Sequence, residues 1–260
     1  MTVKKIFTLL LLMIPLLLWS QDPDHPVKYN TFKPGERLVY SLKYGPLQGG
    51  EALLKVDETY LDGKYVYHAT ALGRTVGIVD KLFRVEDIYQ SYFDPVTNKP
   101  YKAIRDIHEG NYERYNEVIF NYEDTVVHSQ RSGEIKVPHN ILDIVSTFYY
   151  LRRIDFSYLN PGDVISVDTY FADELFPFDI RYKGIEYVNS PLGRIRCKRF
   201  DPVVEPGRIF EDEDDMTVWL SDDKNYVPIL IRFNMIVGSV KVMLEKTENL
   251  KHPLQVQHND

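Results

Sequence analysis

The sequence predicts a mainly β fold, a strongly curved antiparallel sheet or open half-barrel with one main α-helix. The chain has 19 tyrosines and 13 phenylalanines, and aromatic residues favour strands. Apolar and polar residues alternate in many short runs, which is the pattern of half-buried strands. Short turns separate these runs, and short turns require antiparallel pairing because parallel strands need long crossovers.

Residues 1–20 are expected to form a secretory signal peptide. Lys4 and Lys5 precede an apolar run from Ile6 to Trp19, which is shorter than the roughly 20 apolar residues of a spanning helix. Cleavage near Ser20 would leave an N-terminal tail over residues 21–30. The sequence therefore predicts an exported protein of the periplasm or cell envelope, without a transmembrane span after cleavage. A retained membrane anchor is the alternative.

Charge and cysteine content exclude some classes of function. The formal net charge is −7, and it becomes −9 when residues 1–20 leave with their two lysines. This charge disfavours binding to nucleic acid or anionic membranes, where phosphates must be neutralised. The single cysteine, Cys197, forms no internal disulfide. We interpret it as an apolar side chain on the inner face of a strand.

The stretch "RLVYSLKYGPLQGGEALLKV" contains a glycine-rich segment that could be a phosphate loop or a turn. Leu38 and Tyr40 lie on one face of the first run, and alternation resumes after Gly49 and Gly50. A phosphate loop would instead open a helix. The pattern therefore predicts strand, glycine turn and strand, with Gly50 allowing a bulge or close packing.

One segment, about 140–153, has helical rather than strand periodicity. Apolar residues recur at helical spacing from Ile141 to Leu151, Asn140 is a suitable cap, and Arg152 and Arg153 suit the negative C-terminal end. We expect this helix to pack against the sheet.

Turn residues recur 127 or 128 positions apart. Pro34-Gly35-Glu36 is echoed by Pro161-Gly162-Asp163, and Asp94, Pro100 and Gly110 are echoed by Asp222, Pro228 and Gly238. The sequence predicts one β-rich domain over 31–248, with half-repeats at about 31–130 and 158–248 joined by the helix. Coincidence is the alternative, because turn residues recur in any β protein. Residues 249–260 are expected to be a mobile tail.

No catalytic motif is visible in the sequence. It assigns no catalytic residue, no metal ligand and no cofactor, and it leaves the ligand-binding residues open. His68 and His108 could meet across the sheet. The acidic run Glu211–Asp215 lacks the spacing of a calcium loop, and we interpret it as solvated.

Arginines recur on otherwise apolar strands. Pointing inward, they could bind an anionic headgroup or carboxylate; pointing outward, they would cover aromatic surface with their stems. The sequence leaves both orientations open for Arg105, Arg114, Arg181, Arg196, Arg199 and Arg232.

Four stretches together resemble the exported bacterial DUF3108 family. They are "FKPGERLVYSLKYGPLQGGEALLKV", "DIVSTFYYLRR", "SPLGRIRCKRFDP" and "VWLSDDKNYVPILI…VGSVKVML", in order from about Phe32 to Leu244. The resemblance implies an exported β-rich protein of uncharacterised function and carries no catalytic residues. By analogy of fold alone, we expect the curvature of periplasmic lipoprotein carriers, with the helix as a lid.

Three functions are compatible with these patterns. The first is non-enzymatic binding of a lipid, another amphiphile or an envelope component in a concave apolar face, which requires a cleft of about 300 Å³ or more with an arginine at its mouth. The second is an assembly module that binds another envelope protein through an exposed aromatic patch. The third is a glycan or lipid hydrolase using Asp87 or Glu86 with Glu109, which requires two carboxyls in one cleft.

Overall fold

The computed structural model describes residues 30–202, 216–234 and 238–257. These residues form one 15-stranded sheet and two short helices. The helices are α1 (Gly77–Leu82) and α2 (Ile144–Leu151). The strands are β1 (Glu36–Tyr44), β2 (Leu47–Leu61), β3 (Lys64–Thr75), β4 (Val85–Phe93), β5 (Pro100–Glu109), β6 (Tyr112–Asn121), β7 (Val126–Ser129), β8 (Gly133–Lys136), β9 (Leu142–Asp143), β10 (Val164–Phe171), β11 (Glu174–Ser190), β12 (Gly193–Pro202), β13 (Met216–Ser221), β14 (Pro228–Asn234) and β15 (Ser239–Glu248).

The first strand lies in the middle of the sheet. Its order is β8-β7-β6-β5-β4-β3-β2-β1-β15-β14-β13-β12-β11-β10-β9, so β1 pairs with both β2 and the last strand, β15. The predicted open, mainly antiparallel sheet is confirmed. One pair departs from the prediction, because the two-residue β9 runs parallel to β10.

The landmarks of the predicted half-repeats lie at equivalent places in the sheet. When β1–β6 and β10–β15 are counted in chain order, the landmarks fall at corresponding connections. The loops Asp94–Pro100 and Asp222–Pro228 join β4 to β5 and β13 to β14. Each loop holds one residue with positive φ, Asn98 at 63° and Tyr226 at 47°. The backbone N–H groups of Gly35 and Gly162 likewise each donate across a hairpin, to the carbonyls of Val56 and Tyr182.

The matching halves do not meet in the same way on both sides. The first strand of one half, β1, pairs with the last strand of the other, β15. The equivalent second contact would join β10 to β6, but β6 pairs with β7 and β10 with β9. The sheet therefore stays open along a seam between β6–β7 and β10.

The predicted helix at about 140–153 is shorter than expected and has a different cap. Leu142 and Asp143 are extended because they pair with β10, so α2 starts only at Ile144. Asp143, not Asn140, caps it by accepting hydrogen bonds from the backbone N–H groups of Val145 and Ser146. The Ser146 hydroxyl in turn accepts from the Asp143 N–H, which completes a capping box.

A second helix, α1, was not predicted. It spans six residues between β3 and β4, and none of them is buried. A helix of six residues lacks the length over which helical periodicity is visible.

The end of the chain is held on the domain as far as residue 257, in contrast to the predicted mobile tail. Apolar side chains of this segment pack against the core, and the His252 N–H donates to Asn225 Oδ1 at 3.0 Å. Gln257 forms a β-bridge with Arg194. Nothing in the spacing of "LKHPLQVQHND" indicates this packing, because its contacts come from distant strands.

The glycine-rich segment after β1 is a hairpin, as predicted, but its turn lies earlier than Gly49-Gly50. Gly45 supplies the positive φ of 56° at the turn, and Gly49 and Gly50 belong to β2. The β1–β2 register shifts between Leu42 and Lys43, opposite this part of β2. A Cβ on Gly50 would lie 2.9 Å from the Arg74 carbonyl oxygen, so close packing requires glycine there.

Candidate functional site

An apolar cavity of about 420 Å³ lies between the inner face of the sheet and α2. Strands of both halves contribute to its wall, so the curvature of the whole sheet creates it. Its volume falls within the range of about 300–1,000 Å³ that is typical of ligand pockets. It is lined by Tyr40, Ala52, Leu53, Leu54, Ala71, Leu72, Gly73, Asp87, Tyr89, Ile144, Val145, Phe148, Phe171, Ile231 and Val242.

Small residues on adjacent strands leave the space open. Ala52 of β2 lies opposite Gly73 of β3, and Leu54 lies opposite Ala71. Across the next strand pair, Ala71 faces Tyr89 and Gly73 faces Asp87. A Cβ added to Gly73 would meet no atom within 4 Å. The cavity therefore follows from a run of small side chains in a sheet that is otherwise rich in bulky ones.

Helix α2 and the end of β10 enclose the cavity from the other side. Phe148 and Val145 project from α2, which Asp143 fixes in place through its cap and through a hydrogen bond from the Ser91 hydroxyl on β4. Phe171, the last residue of β10, lies against Tyr89 with ring centroids 6.1 Å apart.

A smaller, more polar pocket of about 40 Å³ adjoins the cavity. The two spaces share Tyr89, Ile144, Val145 and Phe171 in their linings, and the small pocket adds Arg105, Asn116, Asp143 and Asp173, among others. The Arg105 guanidinium lies 5.9 Å from the Tyr89 ring centroid and 5.4 Å from that of Phe171. An arginine thus stands beside the apolar cavity, as the amphiphile hypothesis requires.

The other predicted arginines lie outside both linings. Arg114, Arg196 and Arg199 form ion pairs, with Asp173, Asp222 and both Glu186 and Asp201 respectively. Arg232 lies over the Trp219 ring at 5.2 Å, and Arg181 belongs to β11 opposite Val164 and Asp201. Of the six candidates, Arg105 is the one that the structure places at the cavity.

The carboxylates considered for hydrolysis are only partly brought together. Asp87 lines the cavity and accepts a hydrogen bond from the His108 N–H at 3.2 Å. Burial raises the pKa of Asp87, and the neighbouring Glu109 carboxyl raises it further. Glu86 pairs with Arg84 instead. Among the described lining residues Asp87 is the only acid. The Glu109 carboxyl lies within hydrogen-bonding reach of Asp87, and so close a pair lacks the separation of about 5 Å or more that glycoside hydrolysis uses.

The histidine pair suggested by the sequence does not form. His68 stacks on Tyr92 and bonds Gln90, whereas His108 lies beside Asp106 at 3.0 Å. The register places them on strands that are separated by β4, since β3 pairs with β4 and β4 with β5.

Cys197 behaves as a buried apolar side chain, which confirms its interpretation. It is fully buried within the core, and burial raises the pKa of its thiol to about 12. A thiol with so high a pKa is a poor nucleophile at neutral pH.

The acidic run Glu211–Asp215 and the predicted signal peptide lie outside the described residues. Within residues 30–202, 216–234 and 238–257, no three His, Cys, Asp or Glu side chains could converge on a metal ion. Neither helix of that part of the chain has the length and apolarity that crossing a membrane requires.

The residues that create the cavity were not recognised from the sequence. Ala52, Ala71 and Gly73 look like ordinary strand residues until the register of β1–β4 aligns them. The available signal is small residues at alternate positions of neighbouring strands, but it requires the register to be known first.

The fold and the cavity define the chain as an open, mainly antiparallel β-barrel-like protein with an apolar cavity on the inner face of its sheet. The chain belongs to the DUF3108 family, "Protein of unknown function", whose model matches residues 39–245. The resemblance inferred from the four sequence stretches is thereby confirmed. A search of curated proteins finds no match.

Solved structures share the fold at low sequence identity. A β-barrel-like protein of the domain of unknown function DUF1849 from Brucella abortus has a TM-score of 0.54 and 8% identity, over 82% of this chain and 96% of that one. A DUF1089 family protein from Pseudomonas aeruginosa has a TM-score of 0.39 and 11% identity, over 70% of this chain and 89% of that one. The similarity to the DUF1849 protein supports the barrel-like fold.

Proposed function

We propose that this chain is an exported cell-envelope protein that binds the apolar part of a lipid or another amphiphile without catalysis. The observation that carries the proposal is the cavity of about 420 Å³ between the sheet and α2. Its walls are almost wholly apolar, and its polar neighbours are few. Pockets for small apolar ligands have this composition.

The physical gain from occupancy is the transfer of hydrocarbon out of water. Each buried methylene contributes about 0.8 kcal/mol. A ligand chain in this space would remove the apolar side chains of Phe148, Phe171 and Val242 from contact with water, which is favourable.

Export is supported by the sequence alone. The basic residues Lys4 and Lys5 and the apolar run from Ile6 to Trp19 have the order of a signal peptide. The single cysteine is compatible with an oxidising compartment, since it leaves no pair to form a disulfide within the chain.

Replacement of Gly73 by leucine tests the cavity as the binding site. No positive φ is required at Gly73 and its Cβ would point into open space, so the new side chain should occupy the cavity without strain. We expect G73L to bind the apolar fluorophore N-phenylnaphthylamine at least about tenfold more weakly than the wild-type protein, a loss of about 1.4 kcal/mol.

A matched control adds a leucine on the same strand but outside the cavity. Thr70 alternates with Ala71 and therefore faces the other side of the sheet, and T70L should bind the fluorophore like the wild-type protein. Equal binding by G73L and the wild-type protein, with both folded, would show that the probe does not occupy this cavity.

An assembly module remains the second candidate because of one surface. Helix α1 and the residue after it expose large apolar side chains: Ile78 is 61% exposed, Leu82 80% and Phe83 53%. Contiguous exposed apolar side chains favour a partner surface. A pull-down from the envelope fraction that captures the same protein with the wild-type chain, and loses it with L82D, would support this role.

A further inference from the structure

Arg105 is the arginine that lines the small pocket beside the apolar cavity. Its guanidinium lies over the rings of Tyr89 and Phe171, both of which line the apolar cavity. Its Nε is buried and has no hydrogen-bond partner among the described residues. None of the ion pairs within residues 30–202, 216–234 and 238–257 involves it, whereas Arg114 on the next strand is paired with Asp173 at 2.9 Å.

The two acids in the small pocket beside Arg105 already have their own partners. Asp143 accepts from the Ser91 hydroxyl and from the first turn of α2. Asp173 accepts from Arg114, Asn116, Ser129 and Ser132. Both carboxylates therefore already accept hydrogen bonds from other groups. The Arg105 guanidinium lies within hydrogen-bonding reach of the Tyr89 side chain, and its other N–H groups can bind a ligand.

Asp87 also lies close enough to interact with Arg105, and its carboxyl is within hydrogen-bonding reach of the Glu109 carboxyl. The positive charge of Arg105 lowers the pKa of Asp87, although burial and Glu109 outweigh this effect and raise it overall. The two side chains do not form an ion pair in the structure.

We propose that Arg105 binds the anionic head of the amphiphile whose chain occupies the cavity. The inference rests on the proposed function and specifies its ligand class: a single-chain amphiphile with a carboxylate or phosphate head. The guanidinium offers several N–H donors in a planar fork that matches these oxyanions. Arg105 is half-buried, so charge-assisted hydrogen bonds to it are stronger than those at a fully exposed surface.

The geometry fixes which end of the ligand lies where. Tyr89 and Phe171 belong to both linings, so the chain of a ligand in the large cavity would pass these rings to reach Arg105. The small pocket, about 40 Å³, has room for a compact head and not for a second chain.

Calorimetric titration with ligands of one chain length isolates the contribution of the head. Dodecanoate, dodecyl phosphate and dodecanol share the chain, and acetate supplies the carboxylate without a chain. We expect the wild-type protein to bind at least one of the two anionic amphiphiles about 10- to 100-fold more tightly than dodecanol, the range for hydrogen bonds to a charged group. Acetate should bind far more weakly than dodecanoate.

Two arginine variants assign the preference to one residue. R105Q should lose the preference for an anionic head while it keeps the affinity for dodecanol within about twofold, and R105K, which keeps the charge, should retain part of it. R232Q is the matched control. Arg232 also lies over an aromatic ring and also has a buried Nε without a partner, but it alternates with the cavity residue Ile231 and so faces away from the cavity.

The possible results separate this inference from the proposed function. A preference for anionic heads that R105Q abolishes and R232Q keeps supports the assignment. Equal binding of dodecanol and both anionic ligands by the wild-type protein overturns it and leaves the cavity as an apolar site. Acetate binding as tight as dodecanoate also overturns it, because the site would then take a free anion. Binding of none of the chain-bearing ligands contradicts the proposed function itself. The affinities of the wild-type protein for dodecanoate, dodecyl phosphate, dodecanol and acetate distinguish the last three results even if R105Q fails to fold.

Discussion

The buried ion pair between Glu36 and Arg152 joins the first residue of β1 to the end of α2. Arg152 donates to both carboxylate oxygens, at 2.6 and 3.0 Å, and to the Asn225 carbonyl. Both side chains are almost completely buried. The sequence placed Arg152 correctly at the helix C-terminus but could not identify its partner, which lies 116 positions earlier.

Removal of one member of this ion pair is expected to lower the stability of the folded protein strongly. R152M should lower the free energy of unfolding by about 3–5 kcal/mol because it leaves the Glu36 carboxylate buried without a counter-ion. The double variant E36M/R152M should recover part of that loss. Chemical denaturation of the wild-type protein, R152M and E36M/R152M measures the three free energies of unfolding.

A partly exposed ion pair between β1 and β2 provides the control. Arg37 and Asp57 are 3.4 Å apart and about one-third exposed, so R37M should cost at most about 1 kcal/mol. If R152M lowered the free energy of unfolding as little as R37M does, the buried ion pair would not stabilise the fold in the way proposed.

At the scale of elements, the β10–β11 hairpin holds the seam together by side chains where backbone pairing is missing. Its turn residue Asp173 has a positive φ of 70°. Its carboxylate accepts hydrogen bonds from β6 and from β7 and the turn that follows it. The donors are Arg114 at 2.9 Å, Asn116 at 2.7 Å, Ser129 at 2.7 Å and Ser132 at 3.0 Å.

This arrangement predicts how stability depends on pH. Partial burial alone would raise the pKa of Asp173, but the hydrogen bonds from Ser129, Ser132 and Arg114 outweigh it and lower that pKa below the ordinary value of 3.8. The native state therefore favours the ionised carboxylate. Its stabilising contribution is complete above about pH 3.8 and is lost as the pH falls through the lower native pKa.

D173N tests this dependence directly. At neutral pH it should unfold with a free energy about 1–3 kcal/mol lower than the wild-type protein, because charge-assisted hydrogen bonds are lost. The difference should shrink as the pH falls below 3.8. The control E174Q, at the exposed neighbour on the same turn, should show no such convergence. A difference between D173N and the wild-type protein that is constant over this pH range would contradict the account.

Sequence patterns predict strands and turns correctly wherever the local preference of the residues agrees with their tertiary contacts. The alternation around Tyr40 and around Ile229 predicted strands, and the Asp-to-Pro loops and glycine turns fell at equivalent places in the two halves. Local preference failed at Asn140, because pairing of Leu142 and Asp143 with β10 keeps that segment extended. Tertiary hydrogen bonding outweighs helix propensity there.

At the scale of the whole molecule, the curvature of the sheet and the register of its strands decide which side chains face the interior and where a cavity forms. Neither can be read from the sequence alone. Whether Arg105 or Arg232 faces the interior depends on the register, since a one-residue slip reverses the faces of a strand. The cavity likewise exists only when Ala52, Ala71 and Gly73 are brought side by side. The sequence therefore predicted a concave apolar face and named Arg105 among six arginines, and the structure was needed to select it.

Native mass spectrometry of the protein purified from its own envelope fraction is the most direct test of the central claim. The wild-type protein should carry the additional mass of an amphiphile on a polypeptide that lacks residues 1–20, and G73L from the same preparation should carry none. A wild-type protein without bound ligand, or G73L with the same bound mass, would contradict the assignment of the cavity as a ligand site.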